Sequence, residues 1–386
     1  MKKILKLITL ILLTSCSSVD KQSYANESDF KVAVNKDKAS VTIIGYTGSE
    51  INLVIPHVIN GLTVTVIGEE AFAGTDDSNH YDGPVTLHQL HSVVIPHGVT
   101  HIEERAFRDN LLASVTWPKG LTHIKDGAFR DNQLENIIIP DSVIYLSGFQ
   151  NNKITSIKIP DNVKTIGRNA FERNQLVNLV IPDSVTKMDW DAFKNNRLEN
   201  IKISENILSI MGAFAQNKLT SVVIPDSVLH ITGFAFSWNN LTNVTLSKNL
   251  KILDGFSGNQ ITHIEIPETV EDIGSAAFSD NNLISVTLPK NLKKLDGFEN
   301  NKLTHIDIPD SVEMLGGLSG NRLTAIVIPK NVEVVMDNSF DNNEISVITV
   351  RMSEEDARTR FECHEIYCKP WKNKFIIEGA ELRFEP

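Results

Sequence analysis

Apolar and polar positions recur along most of this chain with a period of 20 to 22 residues. The pattern is F-x-x-N-x-[LI]-x-x-[IV]-x-[IL], and the segment from Phe193 to Ile203 is one copy of it. Its aromatic slot holds Phe107, Phe129, Phe149, Phe171, Phe193, Phe214, Phe236, Phe256, Phe278, Phe298 and Phe340, with Leu318 as the exception. Three residues later every copy has an asparagine, from Asn110 and Asn132 through Asn196 to Asn321 and Asn343. One such unit cannot bury its own apolar face, but a neighbour on each side can bury it. A fixed period of this size therefore predicts a solenoid of stacked coils.

Within a coil, the alternation at Leu198, Ile201 and Ile203 gives a strand with one apolar face, the residues between pointing to solvent. Eleven of the 14 prolines follow that strand directly, among them Pro118, Pro140 and Pro182. Proline has no N–H to give a ladder, so it ends the strand at the same corner each time. A second apolar pair, such as Val163 and Ile166, precedes the turn back to the aromatic slot. Four coils are shorter there and carry Gly148, Gly255, Gly297 or Gly317 just before the slot, where glycine admits a tighter corner. A polar residue as regular as the asparagine is expected to be buried and paired with turn backbone of adjacent coils, because each buried group left unpaired costs about 1–3 kcal/mol. The expected fold is mostly β: parallel strands stacked over residues 41–350, with a cap at each end.

Composition changes this picture little. With 41% hydrophobic and 22% charged residues, the 386-residue chain can bury a large core. Its net charge is −11, or −14 without Lys2, Lys3 and Lys6 of the leader. That sign argues against nucleic acid or an anionic bilayer as the main partner, since both demand clustered Lys and Arg. No P-loop, G-x-S-x-G, H-E-x-x-H or Gly-rich dinucleotide signature is present, so no cofactor is expected and the chain does not read as an enzyme.

The two ends and one interruption carry the remaining chemistry. Residues 1–15 are a short basic segment and an apolar run too short to span a bilayer, which reads as an export signal. Leu13, Thr14, Ser15 and Cys16 resemble the bacterial lipobox, so Cys16 is expected to be diacylated and to be the chain's contact with a membrane. Ser17 after it is consistent with sorting to the outer membrane or cell surface. Residues 16–40 read as a solvated tether. Between Phe72 and Leu90 the repeat is interrupted at 73–89, where Asp76, Asp77, His80, Asp82 and His88 form either a metal site or a solvated loop. After Val350 a charged, aromatic segment, 351–386, reads as a cap over the last strand. In an exported protein Cys363 and Cys368 can form a disulfide; a zinc site with His364 is the alternative.

The string L-x-x-[IV]-x-I-P-x-x-V-x-x-I-G-x-x-A-F over about residues 41–350 resembles the BspA-like leucine-rich repeat family of bacterial surface proteins. That resemblance implies an exported protein that adheres to an extracellular or envelope protein or glycan. The exposed strand slot alternates Lys158, Val180, Lys202 and Val223, and Trp190 and Trp238 fall in variable positions. Lys158, Lys202, Trp190 and Trp238 are therefore the candidate binding residues. The competing readings are a structural protein of the cell envelope with no soluble ligand, and a metal-dependent enzyme using the 73–89 loop.

Overall fold

In the computed structural model the described residues are 23–74, 89–361 and 380–385. The chain winds as a β-solenoid of about 14 turns with parallel stacked strands, mostly β and 3% helical. Each turn has three sides, and each side follows from one part of the repeat. The first face comes from L-x-x-I-x-I, the second from the V-x-x-I pair, and the third from the segment carrying the Phe and Asn slots.

The core is a ladder of identical side chains. Phe72, Phe107, Phe129 and every aromatic-slot phenylalanine as far as Phe298 are fully buried. Rings from Phe72 to Phe278 lie parallel within 20°, with centroids 4.8 to 5.9 Å apart. This separation is set by the strand spacing of parallel sheets, so one ring per coil fills the interior as one apolar column.

Hydrogen bonding is concentrated where the sequence pattern is least obvious. The second face, read from sequence only as an apolar pair, is the more continuous sheet. Two-residue strands His101–Ile102, His123–Ile124, Tyr145–Leu146, Thr165–Ile166 and Lys187–Met188 pair in parallel, in register coil on coil. A second run extends from Ser209–Met211 to Val334–Val335. The ladder breaks once in the array, between Met188 and Ser209. On the first face pairing is fragmentary: Asn52–Val54, Ser92–Val94 and Ser114–Thr116 form one sheet. Asn178–Val180 pairs with Asn200–Lys202, and Ser221–Val223 with Asn243–Thr245. Strands of two residues leave too short an alternation to be read as strands, which is why the second face escaped the pattern.

The N-terminal cap begins earlier than the pattern suggested. The expected tether over 16–40 is corrected at its end: Phe30–Val34 is a strand, antiparallel to Ser40–Tyr46. Asn35 holds their hairpin, its Nδ2 donating to Ser40 Oγ (2.8 Å) and Thr65 Oγ1 (3.0 Å) while its Oδ1 accepts from Thr42 Oγ1 (2.7 Å). The physical cause is the open end of the ladder, since Phe72 has no preceding phenylalanine. Phe30 and Tyr46 take that place, with centroids 6.3 and 5.5 Å from Phe72. At the other end a helix, Glu354–Phe361, buries Ala357 and Phe361, and Ser353 Oγ caps it by accepting from Asp356 N (3.0 Å). Glu381–Phe384 then adds a parallel strand to Val347–Val350.

Candidate functional site

The third side decides which residues can face a partner. In each coil the asparagine of the repeat points inward and joins two turns. Asn196 Nδ2 donates to Phe171 O of the preceding coil (2.8 Å) and Phe193 O of its own (3.1 Å), while its Oδ1 accepts from Leu176 N (3.0 Å). The same set recurs from Asn110 to Asn343. These asparagines are therefore structural, and the ladder they form is as continuous as the phenylalanine column.

The residue before each such asparagine faces outward and has φ near +55°, the left-handed region. The slot holds Asp109, Asp131, Asn151, Arg173, Asn195, Gln216, Trp238, Gly258, Asp280, Asn300, Gly320 and Asn342. Asparagine, aspartate and glycine tolerate this conformation, and they fill nine of the twelve positions. A second left-handed slot, two residues before the phenylalanine, holds Arg105, Gly127, Asn169, Asp191, Gly212 and Phe234. Trp238 (φ 56°) and Phe234 (φ 62°) thus stand where the backbone disfavours bulky side chains. Strain of this kind costs of order 1–3 kcal/mol per residue.

The two rings stack on each other, centroids 5.6 Å apart and 18° from parallel, and are about half exposed. Trp190 is 45% exposed and lies over the backbone of Gly212 and Gly233 in the next two coils. A methyl group built on Gly233 would come within 2.1 Å of the Trp190 ring, so the glycine is what lets the indole lie down. Trp238 lies in the same way against Gly258. Trp190 sits at the break of the second-face ladder, beside Met188. The sequence singled out both tryptophans but missed Phe234. Its signal was present: an aromatic in a slot that other coils fill with Asn, Asp, Gly or a charged residue.

On the first face Lys158 and Lys202 are both exposed, and they alternate coil by coil with bare aliphatics. Ile138 is 85% exposed, Val180 60% and Val223 69%, so five successive coils present Ile, Lys, Val, Lys, Val in one column. Trp117 replaces an anchor isoleucine and packs edge-on to Phe129 at 5.1 Å, partly buried against the core.

The second face carries its titratable groups in columns too. His101 and His123 stack at 4.4 Å and 8°, and Tyr145 continues the stack. Thr122 Oγ1 donates to Thr100 O (3.0 Å), so it accepts from His123 Nδ1–H (2.9 Å). Burial holds the His123 imidazole below its usual range, and His101 and Lys125 push in the same direction. Burial raises the Tyr145 phenol, helped by the Asp126 carboxylate that accepts its proton at 3.0 Å. Further along, Lys251 pairs with Glu271 (2.8 Å) and Lys293 with Glu313 (2.5 Å). These pairs are half exposed and add little stability.

Surface depressions of about 320 to 520 Å³ lie toward the C-terminal end, one lined by polar and charged side chains such as Lys293, Glu313 and Arg360, another mixing His305, Asp307 and Arg351 with aliphatic side chains. Among the described residues no group of three or more His, Cys, Asp or Glu side chains could hold a metal ion, and no helix is long and apolar enough to cross a membrane. Asp76, Asp77, His80, Asp82 and His88 of the insertion lie outside the described residues, as do Cys16, Cys363 and Cys368.

Comparison with known proteins agrees with this geometry. A leucine-rich repeat protein from Bacteroides ovatus has a similar structure, with TM-score 0.53 and 19% identity over 93% of this chain and 98% of that one. The pneumococcal vaccine antigen PcpA is similar at TM-score 0.52 and 18% identity, over 92% of this chain and 91% of that one. No curated protein matches the sequence. The BspA type leucine rich repeat region matches residues 86–148, 142–255, 210–319 and 253–360, which together span well over half of the chain. With the asparagine and phenylalanine ladders as its interior, this chain belongs to the BspA-type leucine-rich repeat family.

Proposed function

We propose that this chain is an exported lipoprotein, anchored through Cys16 at the outer membrane or cell surface, that binds a protein or glycan partner across the first face of its solenoid. Leucine-rich repeat proteins are generally scaffolds for protein interaction, and stacked repeats offer a long exposed surface rather than a pocket. The observation that carries the reading is the column Ile138, Lys158, Val180, Lys202, Val223. A solenoid that only spaced other parts would have no use for bare aliphatics there, and Thr116 and Thr245 hold the same slot at the two ends of the column. Apolar groups interleaved with lysines suit a partner surface that is apolar and acidic in turn.

Two variants test the two halves of the proposal. Cys16→Ser is expected to move the protein from the membrane fraction to the soluble fraction; persistence in the membrane with residue 16 unmodified overturns the anchor. Ile138→Thr, Val180→Thr and Val223→Thr combined keep β-branched residues on the strands. Against a panel of immobilised extracellular-matrix proteins and glycans, this triple variant is expected to lose the capture shown by the native chain while keeping its β-type circular dichroism. Undiminished capture rejects the first face as the contact.

A further inference from the structure

Phe234 and Trp238 break the local rule of the fold in one coil, and the core does not take in either ring. The left-handed slots of the three preceding coils hold Asn169, Arg173, Asp191, Asn195, Gly212 and Gln216, yet one coil places an aromatic residue in both. The two rings then stack on each other rather than enter the core. Trp190, two coils earlier, is laid flat toward the same corner over Gly212 and Gly233. Local rules broken without a structural gain mark functional positions. We infer that these three rings form a carbohydrate-binding platform that takes pyranose units of a glycan chain, a site separate from the first-face column.

The chemistry selects this occupant. Three half-exposed aromatic rings offer on the order of 300 Å² of apolar surface, as one such side chain accounts for about 150–250 Å². A stable protein interface needs about 800 Å² per partner. The neighbouring left-handed slots are polar, with Asp191, Asn195 and Gln216 on adjacent coils, so the apolar island ends abruptly in carboxylate and amide groups. A pyranose ring has a matching division: an apolar C–H face to lie on an indole or phenyl ring, and an edge of hydroxyls for amides and carboxylates. Trp190 and the Phe234–Trp238 pair stand two coils apart, about 10 Å at the strand spacing, which suits successive sugars of a chain rather than one monosaccharide.

The test uses the mature full-length chain, titrated with hexasaccharides of β-1,4-linked glucose and of β-1,4-linked N-acetylglucosamine, and read by tryptophan emission and calorimetry. The informative variant is Phe234→Asn with Trp238→Asn, which restores the residue type that the same slots carry at Asn169 and Asn195. The native chain is expected to bind at least one hexasaccharide. The double variant is expected to bind about tenfold or more weakly, with a melting temperature unchanged or raised because the backbone strain is gone. A fall in melting temperature shows that the rings serve the fold and overturns the proposal. So does undiminished sugar binding by the variant, or a native chain that binds neither hexasaccharide at millimolar concentration. The Ile138, Val180, Val223 triple variant should bind the sugars normally, so failure of the first-face reading and failure of this one are told apart.

Discussion

In each coil two adjacent residues meet opposite environments, and Asn195 and Asn196 show the contrast most simply. Asn196 is buried, bonded to two coils and part of an uninterrupted ladder. Asn195 is exposed, with φ 56°, and is one member of a column whose composition drifts from Asp through Arg to Trp. Both columns repeat with the same period, so periodicity alone does not say what a residue does. The inner column is fixed by bonds that the asparagine side chain makes both to its own coil and to the one before it. The outer column is fixed by backbone angle alone, and backbone angle leaves the side chain free to be recruited for binding.

The sharpest way to break the inner column is Phe193→Ala. It leaves a hole between Phe171 and Phe214, whose centroids lie 5.6 and 5.9 Å from Phe193. The expected loss is about 3–5 kcal/mol, read as a lowered urea midpoint. A change below about 1 kcal/mol would mean that the neighbouring coils close over the gap and that the ladder is looser than its geometry.

Asn196→Ala and Asn195→Ala set the two columns against each other at one residue's remove. The first strips the partner from Leu176 N, and removes one of two donors from Phe171 O, Phe193 O and Lys194 O, which Asn174, Asn217 and Arg173 N still reach. With one buried N–H left unpaired at about 1–3 kcal/mol and three carbonyls each short of a second donor, the variant should lose roughly 2–3 kcal/mol. The second changes only the tolerance of a left-handed backbone, worth about 1 kcal/mol. Equal effects in chemical denaturation would remove the distinction between the columns.

Much of the inner column was legible in the sequence because burial is periodic: a phenylalanine, replaced once by Leu318, then an asparagine three residues on in every copy. The solenoid and the buried, turn-paired asparagines followed from that. The second-face sheet did not, because Thr165 and Ile166 form a two-residue strand and two residues carry no alternation. The strand at Phe30–Val34 was obscured because its apolar residues lie among polar neighbours, and only the bare end of the ladder at Phe72 gives them something to cover. Phe234 was passed over because side-chain type reports burial more readily than φ. Only the column of Asn, Asp and Gly at equivalent positions shows how anomalous an aromatic is there. Lys158, Lys202, Trp190 and Trp238 were found by asking which variable positions carry unusual residues, and all four are exposed.

A subtler contrast lies among the short coils, where an acidic residue is drawn inward by the tight corner. Asp254 Oδ1 accepts from Gly255 N and Ala276 N, both at 2.8 Å. Burial pushes its carboxyl above the ordinary value even though those two N–H groups pull it down. The protonated form is therefore favoured by folding, so the stabilising contribution is present below the unfolded pKa and is lost as pH rises through the higher folded value. At neutral pH the ionised carboxylate is a burden, moderated by solvent and by Lys294. Asp254→Asn keeps an oxygen for both N–H groups without the charge. Its melting temperature at pH 7 should exceed that of the native chain by about 1 °C, and the gap should narrow as the pH is lowered through the raised folded value and the native carboxyl takes up its proton. A variant that melts lower at pH 7 would show instead that the attraction of Lys294 for the carboxylate outweighs the cost of burying it.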